Sequence, residues 1–599
     1  MPKDAKIEAI TEKGRPSNAD ALAIEQIKKF DDLVGKRKER DSDWQIIAQY
    51  ALPQESTIVR QQTTESVAGR TDRIYDTTMI QAAETLAGGL FNWWTPMNQP
   101  WAEYGVPKGL GRMGDSEKDT ATKWLGEASD FIMEEFGRSN LYSVKAAGDL
   151  GLATFATDLI IVEEGEAADE LFNFIGVRIG TYVIEENYKG IVDTVRRLVG
   201  GDEGMTYRQI KQKFNKPGDT IPEEIERQAG SSAKGGKKFQ ILHCIFPRED
   251  SERLPGSKLG KDKPIASVYI AKESKKVIRV SGYDESPILC RRFKKWVTQW
   301  GYGPAYLALP DARQVNYVQR YLDALAELHI NPRFLYPAEL YDDVDLRPGG
   351  GTPFDPMNPE AKPTEWATTG DYKLGMELQE QKRQAIRDAF YNSAFKLLNS
   401  PPLLDKDMTA FEISQRQSEQ LENITAVDAR QISEFINPLM LRAFGIAYRR
   451  RALGQAPRAL MQPIGRNIVG LAKPSVVVTS RFNDALRALK NRGAQNTAEF
   501  VLNLGKETQQ PYLFGDAFDA MKLIKEYGRN AGIAPDVVRA DKGPNSTEAI
   551  QKQRAAMQAQ QRAAQMAEVL GKAGKGLGGS PDWLQQQAQE QFEQQKPAA

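Results

Sequence analysis

The residues that could do chemistry in this 599-residue chain begin with a glycine-rich stretch at 230–238, the nearest approach to a phosphate-binding loop. Such a loop needs a lysine and then a Ser or Thr at fixed positions, because backbone N–H groups and the lysine surround the phosphates. Here the lysine stands one position late, and no Ser or Thr follows it. We therefore interpret 230–238 as a flexible surface loop, with a nucleoside triphosphate site as the alternative.

Histidine and cysteine chemistry is limited to four residues, His243, His329, Cys244 and Cys290. This count excludes a disulfide scaffold and a zinc module held by thiolates, and any imidazole chemistry would rest on one of two histidines. His243 and Cys244, with the distant Cys290, could be imagined as a nucleophile pair. Neighbours in a strand point to opposite faces, so we expect a core histidine and a core cysteine instead.

An acidic run and an aromatic run are further candidates for ligand chemistry. The carboxylates of Asp342, Asp343 and Asp345 could bind a divalent cation, but the calcium-loop spacing is absent and a solvated acidic loop is favoured. Four aromatic residues near a helix end could stack on bases, yet few cations lie between them, which favours packing in the core or at a subunit interface. These four are Phe91, Trp93, Trp94 and Trp101.

Three consecutive arginines, Arg449 to Arg451, are the last candidates, and they end a long predicted helix. They could touch phosphate groups. Cations in a last turn also favour the helix dipole, so a solvated helix end explains them without nucleic acid.

The overall charge limits the classes of protein further. Lys plus Arg and Asp plus Glu both number 80, so the formal net charge is zero, which argues against a protein that holds nucleic acid by bulk positive charge. The length allows about four domains of ordinary size. No secretory signal or apolar run approaching eighteen residues is visible, so we expect synthesis in the cytoplasm, reduced cysteines and no membrane.

The elements that must position these residues change in type along the chain. Apolar spacing predicts helices over 21–52, from the caps Asp76 and Thr77, and from the cap Ser116 to Gly137. A series of short β-branched or aromatic runs then predicts an antiparallel or mixed sheet, with a hairpin loop at Asn187–Gly190. The predicted strands are 158–163, 172–179, 182–185, 191–198, 239–246, 266–271 and 276–280.

The second half of the chain is predicted to be mainly helical. One helix covers 311–329, and a second covers 371–399 with a middle, 377–384, that is polar nearly all round. Prolines and glycines between them predict a loop-rich or short-strand segment. A further helix begins at Thr409, is kinked at Pro438 and ends before Gly454. A strand at 475–478 and a Gln/Ala-rich tail from 545 follow.

An ordered set of motifs over roughly 25–480 resembles the head-to-tail connecting proteins, or portal proteins, of short-tailed bacteriophages. Where that family commonly has Tyr-Gly-Arg-Gly-Pro, this chain has the shorter Tyr302-Gly303-Pro304. The motifs are Arg73-Ile-Tyr-Asp-Thr-Thr, Ala83-Glu-Thr-Leu-Ala-Gly-Gly-Leu-Phe-Asn, Thr95-Pro96, Pro100-Trp101, Ser139-Asn-Leu-Tyr142, Asp149-Leu-Gly-Leu, Met205-Thr-Tyr-Arg-Gln209, Tyr302-Gly-Pro-Ala305, Leu309-Pro-Asp311, Arg347-Pro-Gly-Gly and Met408-Thr-Ala-Phe-Glu412.

The resemblance implies an α+β portal-type fold with a helical wing, an antiparallel or mixed sheet, two stem helices, a loop-rich clip, a long kinked helix and a helical C-terminal crown. On this chain the expected parts are a wing at 1–308, the first stem helix at 309–330, the clip at 331–370, the second stem helix at 371–397, a tunnel loop at 398–408, more wing with the long kinked helix at 409–480, the crown at 481–545, and a Gln/Ala-rich helix, barrel or tail at 546–599.

The resemblance also implies a function and its partners. Twelve subunits would form a ring at one capsid vertex, in the virion at the head–tail junction, after synthesis in the cytoplasm of a bacterial host. Double-stranded DNA would be pumped in by a separate terminase motor, pass without sequence recognition, and leave into the tail. The major capsid and scaffolding proteins and tail adaptor proteins would be further partners. The protein would not be an enzyme and would have no catalytic residue, metal or cofactor.

Candidate site residues follow from this assignment. The tunnel loop would face the channel through Asn399, Ser400, Pro401, Pro402 and Lys406. A capping box of Thr409 and Glu412 would fix where the next helix starts. The stem would line the channel through Glu377, Glu380, Lys382, Arg383 and Arg387. The clip would dock partners through Asp342, Asp343, Asp345, Arg347 and Asp355.

Charge is consistent with a conduit. A ring repeats each lining residue, and one full ring of lysines would change DNA affinity by roughly 10³–10⁵ across ordinary salt concentrations, which is too tight for sliding. A neutral chain suits passage better. The clip segment 331–370 holds three cations and seven anions, so we expect it to be the acidic part.

Two other classes of function stay open. A DNA-processing enzyme, such as a nuclease or a packaging ATPase, would need a carboxylate–metal cluster or a phosphate loop, and the sequence has neither in recognisable form. A capsid scaffold or interaction protein without a pore would be distinguished by imaging, because only the portal interpretation predicts a closed ring.

Overall fold

The computed structural model describes residues 18–55, 58, 74–107, 114–167, 169–201, 203–231, 236–249, 253, 259–330, 334–335, 364–365, 372–393, 426–465, 468–479, 552–554 and 556–565. The chain divides into two units, Met1–Leu486 and Arg487–Ala599. In the second unit, the described residues are helical and exposed. The first unit contains the described helices and strands that follow.

Four helices open this unit: α1 (Asn18–Ala51), α2 (Thr78–Trp94), α3 (Asp115–Arg138) and α4 (Leu141–Phe155). The first three confirm the predicted helices. Asp76 Oδ1 accepts a hydrogen bond from the Thr78 N–H at 2.9 Å, as expected of a residue at that helix start. The predicted cap Ser116 is wrong by two residues. Gly114 is the cap, because the Glu117 carboxylate reaches back to its N–H.

Short strands follow these helices. The sequence predicted an antiparallel or mixed sheet, and this is confirmed, because every described strand pair is antiparallel. The strands are β1 (Ala102–Gly105), β2 (Thr157–Glu164), β3 (Phe172–Val177), β4 (Tyr182–Glu186), β5 (Val192–Val199), β6 (Met205–Thr206), β7 (Lys238–Phe239), β8 (Ile241–Pro247), β9 (Ile265–Ala271), β10 (Lys276–Tyr283), β11 (Ile288–Arg292), β12 (Lys294–Lys295) and β13 (Gly301–Tyr302). A five-stranded sheet has the order β10-β9-β8-β5-β4, and a three-stranded sheet has the order β11-β2-β3.

The turn between β4 and β5 is the predicted hairpin loop. The Asn187 side-chain oxygen accepts hydrogen bonds from the N–H groups of Lys189 at 2.9 Å and Ile191 at 3.1 Å. Gly190 adopts a φ of 73°, which an L side chain rarely tolerates. The local chemistry of Asn and Gly therefore sets this turn, and with it the register of the two strands.

Helices cover both faces of the five-stranded sheet. On one face, α1 packs Ala23, Ile27 and Phe30 against strand residues that include Cys244. On the other face lie two short helices inserted between β5 and β8, α5 (Tyr207–Lys213) and α6 (Glu223–Ser231), whose apolar residues pack on Tyr269 and its neighbours. His243 stacks on Tyr269 with ring centroids 4.0 Å apart. The prediction that His243 and Cys244 are core residues on opposite faces is confirmed.

Two helices of the second half lie side by side, α7 (Pro304–Ile330) and α8 (Tyr372–Ala389). The first starts several residues before the predicted position, because Pro304 can occupy a first turn, where its missing N–H has no partner to lose. Pro310 is likewise accommodated within the helix. Between the helices, the described pieces β14 (Phe334–Leu335) and β15 (Thr364–Glu365) form an antiparallel pair.

The helix after residue 425 contains an irregular turn. Residues 426–431 are α-helical, Ile432–Ile436 form a π-helical turn, and α9 (Asn437–Arg449) continues. The Asn437 N–H bonds to the Ile432 carbonyl, five residues back. Pro438 follows at once and lacks the N–H that a regular α-helix would use, so the irregularity predicted there takes this form.

The end of α9 differs from the prediction. Arg450 is the C-cap, and Arg451 takes the left-handed conformation with a φ of 58°. Gly454, the expected cap, lies beyond it. The Ala452 N–H bonds to the Ala447 carbonyl at 3.0 Å, so the arginines themselves close the helix before the glycine is reached.

Three late strands complete the described part of the first unit: β16 (Met461–Gly465), β17 (Ile468–Leu471) and β18 (Ser475–Val478). The last was predicted, and it pairs with β1. Trp93, Trp94 and Trp101 are buried, so core packing of the aromatic run is confirmed. Among the described helices, none combines the length and apolarity needed to cross a bilayer.

Candidate functional site

The α7–α8 pair is the element closest to the predicted stem. Gly375 lies so near Leu322 that a Cβ at Gly375 would stand 2.7 Å from Leu322 Cδ2. The glycine therefore lets the two helix backbones approach closely. Beyond the contact seam, most side chains of α8 are exposed, and Gln379 and Ile386 are the buried ones. A helix of this kind is packed on one side and open on the others, as its polar middle predicted.

Of two paired cations on α8, Lys382 joins the two helices of the pair and Arg383 joins the pair to the rest of the subunit. Lys382 Nζ lies 2.9 Å from an Asp311 carboxylate oxygen on α7. Arg383 Nε donates to Asp76 Oδ2 at 2.8 Å, immediately before α2. Asn316 of α7 accepts a hydrogen bond from the Tyr75 N–H at 2.7 Å in the same region. The start of α2 is therefore the anchor of the pair.

The structure separates the five predicted lining residues of the stem into two groups. Lys382 and Arg383 pair within the subunit, at the anchor. Glu377 and Glu380 are exposed, and Arg387 Nη1 lies 2.8 Å from Glu380 Oε1 on the same helix. Sequence patterning alone did not distinguish these two groups, because the partner Asp76 is some 300 residues away in the chain.

The other candidate site residues lie outside the described residues. They are Asn399, Ser400, Pro401, Pro402 and Lys406 of the tunnel loop, the capping box Thr409 and Glu412, and the clip residues Asp342, Asp343, Asp345, Arg347 and Asp355. Their roles stay predictions.

A buried group of four charges, not predicted from the sequence, lies between α4 and the three-stranded sheet. Arg291 Nε donates to Asp158 Oδ2 at 2.9 Å, and Arg291 also bonds Asp149, which in turn bonds Lys145 Nζ at 2.5 Å. Burial lowers the pKa of Lys145 to about 8, and Asp149 opposes this. Burial raises the pKa of Asp158, while Arg291 counteracts the rise. Two cations and two anions thus compensate one another and join α4, β2 and β11.

The next residue, Arg292, makes a second network on the opposite side of the strand. Its backbone N–H donates to Glu434 at 2.9 Å, and its guanidinium binds Glu434 through two nitrogens and also reaches Glu186. Glu434 belongs to the π-helical turn. The turn is thus tied to the sheet by a multiple charge-assisted contact, which is stronger than a neutral hydrogen bond.

Aromatic contacts join the π-turn to the first network. Phe435 faces the Arg291 guanidinium at 4.8 Å and Lys145 Nζ at 5.7 Å. Trp94 Nε1–H, at the end of α2, donates to Asp428 Oδ1 in the helical residues just before the π-turn. Burial raises the pKa of Asp428 to about 6, and the Trp94 bond opposes this. Two sequence signals touched this region, the motif Asp149-Leu-Gly-Leu of the family resemblance and Trp94 of the aromatic run.

The arginine run at the end of α9 is only in part the solvated helix end that was expected, because Arg449 is half-buried whereas Arg450 and Arg451 are exposed. Arg449 Nη1 lies 2.6 Å from Glu285 Oε1, and Arg450 Nη1 donates to the Glu170 carbonyl at 2.9 Å. Arg451 is exposed. The reason is tertiary, since the loop after β2 and the turn before β11 bring acceptors to the helix end.

Burial makes His243, Cys244 and Cys290 unsuited to acid–base or nucleophilic chemistry. Burial lowers the pKa of His243 well below its ordinary value, with Arg197 adding to the effect. Burial raises the pKa of Cys244 to about 12 and that of Cys290 well above its ordinary value. Within the described ranges, no three His, Cys, Asp or Glu side chains are gathered so that they could hold a metal ion.

The described part of the chain is an α+β protein with buried charge networks and a helix pair that is packed on one side and exposed on the others. The family model for bacteriophage head to tail connecting proteins matches residues 24–538. The chain belongs to that family, which confirms the resemblance.

Two curated relatives span nearly the same length. The chain is 25% identical over 525 residues to the portal protein of Salmonella phage epsilon15, covering 86% of this chain and 88% of the relative. It is 26% identical over 559 residues to a probable portal protein of Bordetella phage BPP-1, covering 91% and 92%. Neither name is that of an enzyme.

Proposed function

We propose that this chain is the portal subunit of a phage, and that copies of it form a ring at one capsid vertex through which double-stranded DNA enters and leaves the head. The observation that carries the proposal is the family match over residues 24–538, with portal proteins as relatives along almost the whole chain. A twelve-membered ring is the expected assembly. The site of action is the head–tail junction of the virion.

The finer parts of the portal are assigned as proposals. The α7–α8 pair serves as the stem, since it is packed on one seam and exposed elsewhere. The segment between these helices is the clip, and the antiparallel pair β14–β15 lies within that segment. The wing comprises 1–308 and 409–480, the tunnel loop 398–408, and the crown 481–545.

The stem residues proposed to line the channel are Glu377 and Glu380, which are exposed, and Arg387, which is half-buried and pairs with Glu380 on the same helix. Lys382 and Arg383 instead pair with Asp311 and Asp76 inside the subunit. A lining that mixes signs, with Glu380 and Arg387 paired, would hold DNA weakly and let it slide.

The clip is proposed to dock the terminase motor during packaging and tail adaptor proteins afterwards. Its three cations and seven anions favour partners with basic or polar surfaces. Capsid and scaffolding proteins would contact the ring elsewhere.

Imaging of the purified full chain tests the proposal most directly. Negative-stain images are expected to show closed rings with a central hole, and native mass measurement is expected to give a single multiple of the 66.9 kDa subunit. A folded chain that stays monomeric at micromolar concentration would contradict the ring.

A further inference from the structure

Two hairpin turns of the first unit carry large apolar side chains that are exposed to solvent. Tyr188 and Ile191, at the turn between β4 and β5, are 92% and 57% exposed. Trp296 and Val297, at the turn between β12 and β13, are 87% and 82% exposed. We call these four residues the hairpin patch. Of the tryptophans that the structure describes, Trp296 alone is mainly exposed.

The two turns are held next to each other by ionic contacts. The Arg292 guanidinium donates to the Gly190 carbonyl at 3.0 Å on the first turn and to the Gln299 carbonyl at 3.2 Å on the second. Lys295 Nζ lies 2.7 Å from Glu186 Oε2, linking the strands at their bases. The patch is therefore one preformed surface, and a partner would not have to order it on binding.

A groove of about 720 Å³ opens beside the patch. Trp296 and Val297 line it together with Trp300, and the helix residues Ala426 and Ala429 form another part of its lining. Trp300 is buried and packs edge-on against Trp44, with ring centroids 5.0 Å apart, which fixes the base of the second hairpin. The surface thus combines the projecting apolar side chains of the hairpin patch with an adjoining groove.

The size of the patch is that of an interaction site. An aromatic side chain buries about 150–250 Å² when covered. Tyr188 and Trp296 together with two aliphatic neighbours therefore present several hundred Å² of apolar surface, the amount that marks a functional patch on a soluble protein. Trp, Tyr and Arg are also the residues that dominate binding energy at protein interfaces.

Charge around the patch favours a protein partner over DNA. Most of the nearby cations already have partners inside the subunit, so they offer little to phosphate groups. Lys189, on the first turn, lies over the Tyr188 ring at 5.3 Å. The internal pairs are Lys295 with Glu186 at 2.7 Å, Arg430 with Glu434 at 2.9 Å, Arg40 with Asp43 at 3.6 Å, and Lys294 with the Tyr391 hydroxyl at 2.8 Å.

A second copy of the chain is the partner that fits these observations. A ring contact is heterologous, so each subunit must carry two unlike surfaces, and each is covered permanently once the ring closes. Besides the hairpin patch, the outer face of α7 exposes a separate apolar set, Leu307, Tyr317 and Tyr321. A stable interface needs about 800 Å² from each partner, for which the patch and its groove would supply the apolar centre.

We propose that the hairpin patch is one side of the contact between neighbouring copies of this chain, a proposal that rests on the ring proposed above. The test compares the parent, the double variant W296S/V297S and a control, M97S, which removes another exposed apolar side chain at a different place. Native mass measurement and light scattering at micromolar concentration report assembly, and circular dichroism reports folding.

The parent and M97S are expected to form rings, and W296S/V297S is expected to be folded and to need at least a tenfold higher concentration to assemble. Rings of the double variant that form like those of the parent would overturn the patch while leaving the ring itself intact. A parent that never assembles would overturn the ring, and the two failures are thereby distinguished.

A photo-crosslinking residue, p-benzoylphenylalanine, placed at Trp296 in the assembled protein identifies the occupant of the patch. Crosslinks that join two chains support a second copy. Crosslinks confined to one chain, for instance to residues 394–425 that precede the groove helix, would overturn the proposal, as would crosslinks to DNA.

Discussion

Arg291 and Arg292 are neighbours on one strand, yet each completes a different charge network. Successive side chains of a strand point to opposite faces, so Arg291 reaches Asp149 and Asp158 while Arg292 reaches Glu186 and Glu434. A buried ion pair adds little stability over a well-packed apolar pair, but removing one partner leaves a buried charge without compensation. The contribution of these arginines to stability is therefore seen mainly when one of them is removed, because its carboxylate partners then stay buried without a compensating charge.

Replacing Arg291 by Met is expected to lower the free energy of unfolding by about 3–5 kcal/mol, because Asp149 and Asp158 would lose their main compensating charge. The control is Arg138→Met, which removes a cation paired with Glu134 and Glu135 at the surface. That change is expected to cost at most about 1 kcal/mol. Urea denaturation measures both. Equal losses in the two variants would contradict a special role for the buried network.

The Asp428 carboxyl is expected to make stability depend on pH. Its pKa of about 6 lies above the value of 3.8 in an unfolded chain, so the folded protein binds the proton more tightly between these values. The contribution of this group to the free energy of unfolding therefore falls as pH rises from about 4 to about 6, by at most about 3 kcal/mol.

The variant D428N isolates this dependence, since the amide oxygen still accepts the Trp94 N–H but does not titrate. Urea denaturation from pH 4 to 7 is expected to show a difference between the parent and D428N that changes across this interval. A difference that is constant with pH would show that Asp428 keeps an ordinary pKa.

At the scale of elements, the α7–α8 pair combines a tight seam with a polar anchor. Gly375 allows the close contact with Leu322, the Lys382–Asp311 ion pair joins the two helices, and the Arg383–Asp76 ion pair attaches them near the start of α2. The remaining surface of α8 is left to solvent. In the proposed ring, this division lets the outer faces of the helices serve the channel and the neighbouring subunits without weakening the subunit fold.

Replacing Arg383 by Ala is expected to destabilise the anchor by about 1–3 kcal/mol, because the buried Asp76 carboxylate would lose its charged donor. The matched change Glu377→Ala, on the exposed face of the same helix, is expected to stay within about 0.5 kcal/mol. Urea denaturation and amide hydrogen exchange over 372–389 provide the measurements. Faster exchange in the Glu377 variant than in the Arg383 variant would contradict the anchor.

At the scale of the whole molecule, a chain of zero net charge suits a conduit. Each residue of a ring is repeated in every subunit, so a modest excess of cations along the channel would become a strong DNA-binding site. In the proposed ring, arginines that are paired inside the subunit, such as Arg291 and Arg292, would offer little to DNA while they hold the fold. Retention of the genome must then depend on shape, and the proposed tunnel loop at 398–408 is the segment to which we assign it.

Shortening 399–405 to a Gly-Ser link is expected to permit DNA packaging but to raise leakage from filled heads, because the stiff Pro401-Pro402 pair that would narrow the channel is removed. Nuclease protection of packaged DNA over time measures the leakage. Heads that keep their DNA as well as the parent would contradict the valve, and failure to package at all would show that the loop is needed earlier.

The sequence by itself determined the features that depend on local chemistry and periodicity. Period-3.6 and period-2 patterns located the first three helices and the strands of the sheet, and Asn187 and Gly190 specified their own turn. The burial of Trp94 and Trp101 also followed from the composition around them. The motif series was sufficient to identify the family, because it samples most of the chain.

Only the tertiary structure decided which charges meet. Arg291 and Asp149 are 142 residues apart, and Arg383 and Asp76 are 307 apart, so no local pattern could reveal that these cations are held inside the subunit. The exposure of Trp296 was equally hidden, since an aromatic residue in a short strand region is usually buried. Local patterns report which face a side chain takes on its own element, whereas its partner depends on how distant elements pack.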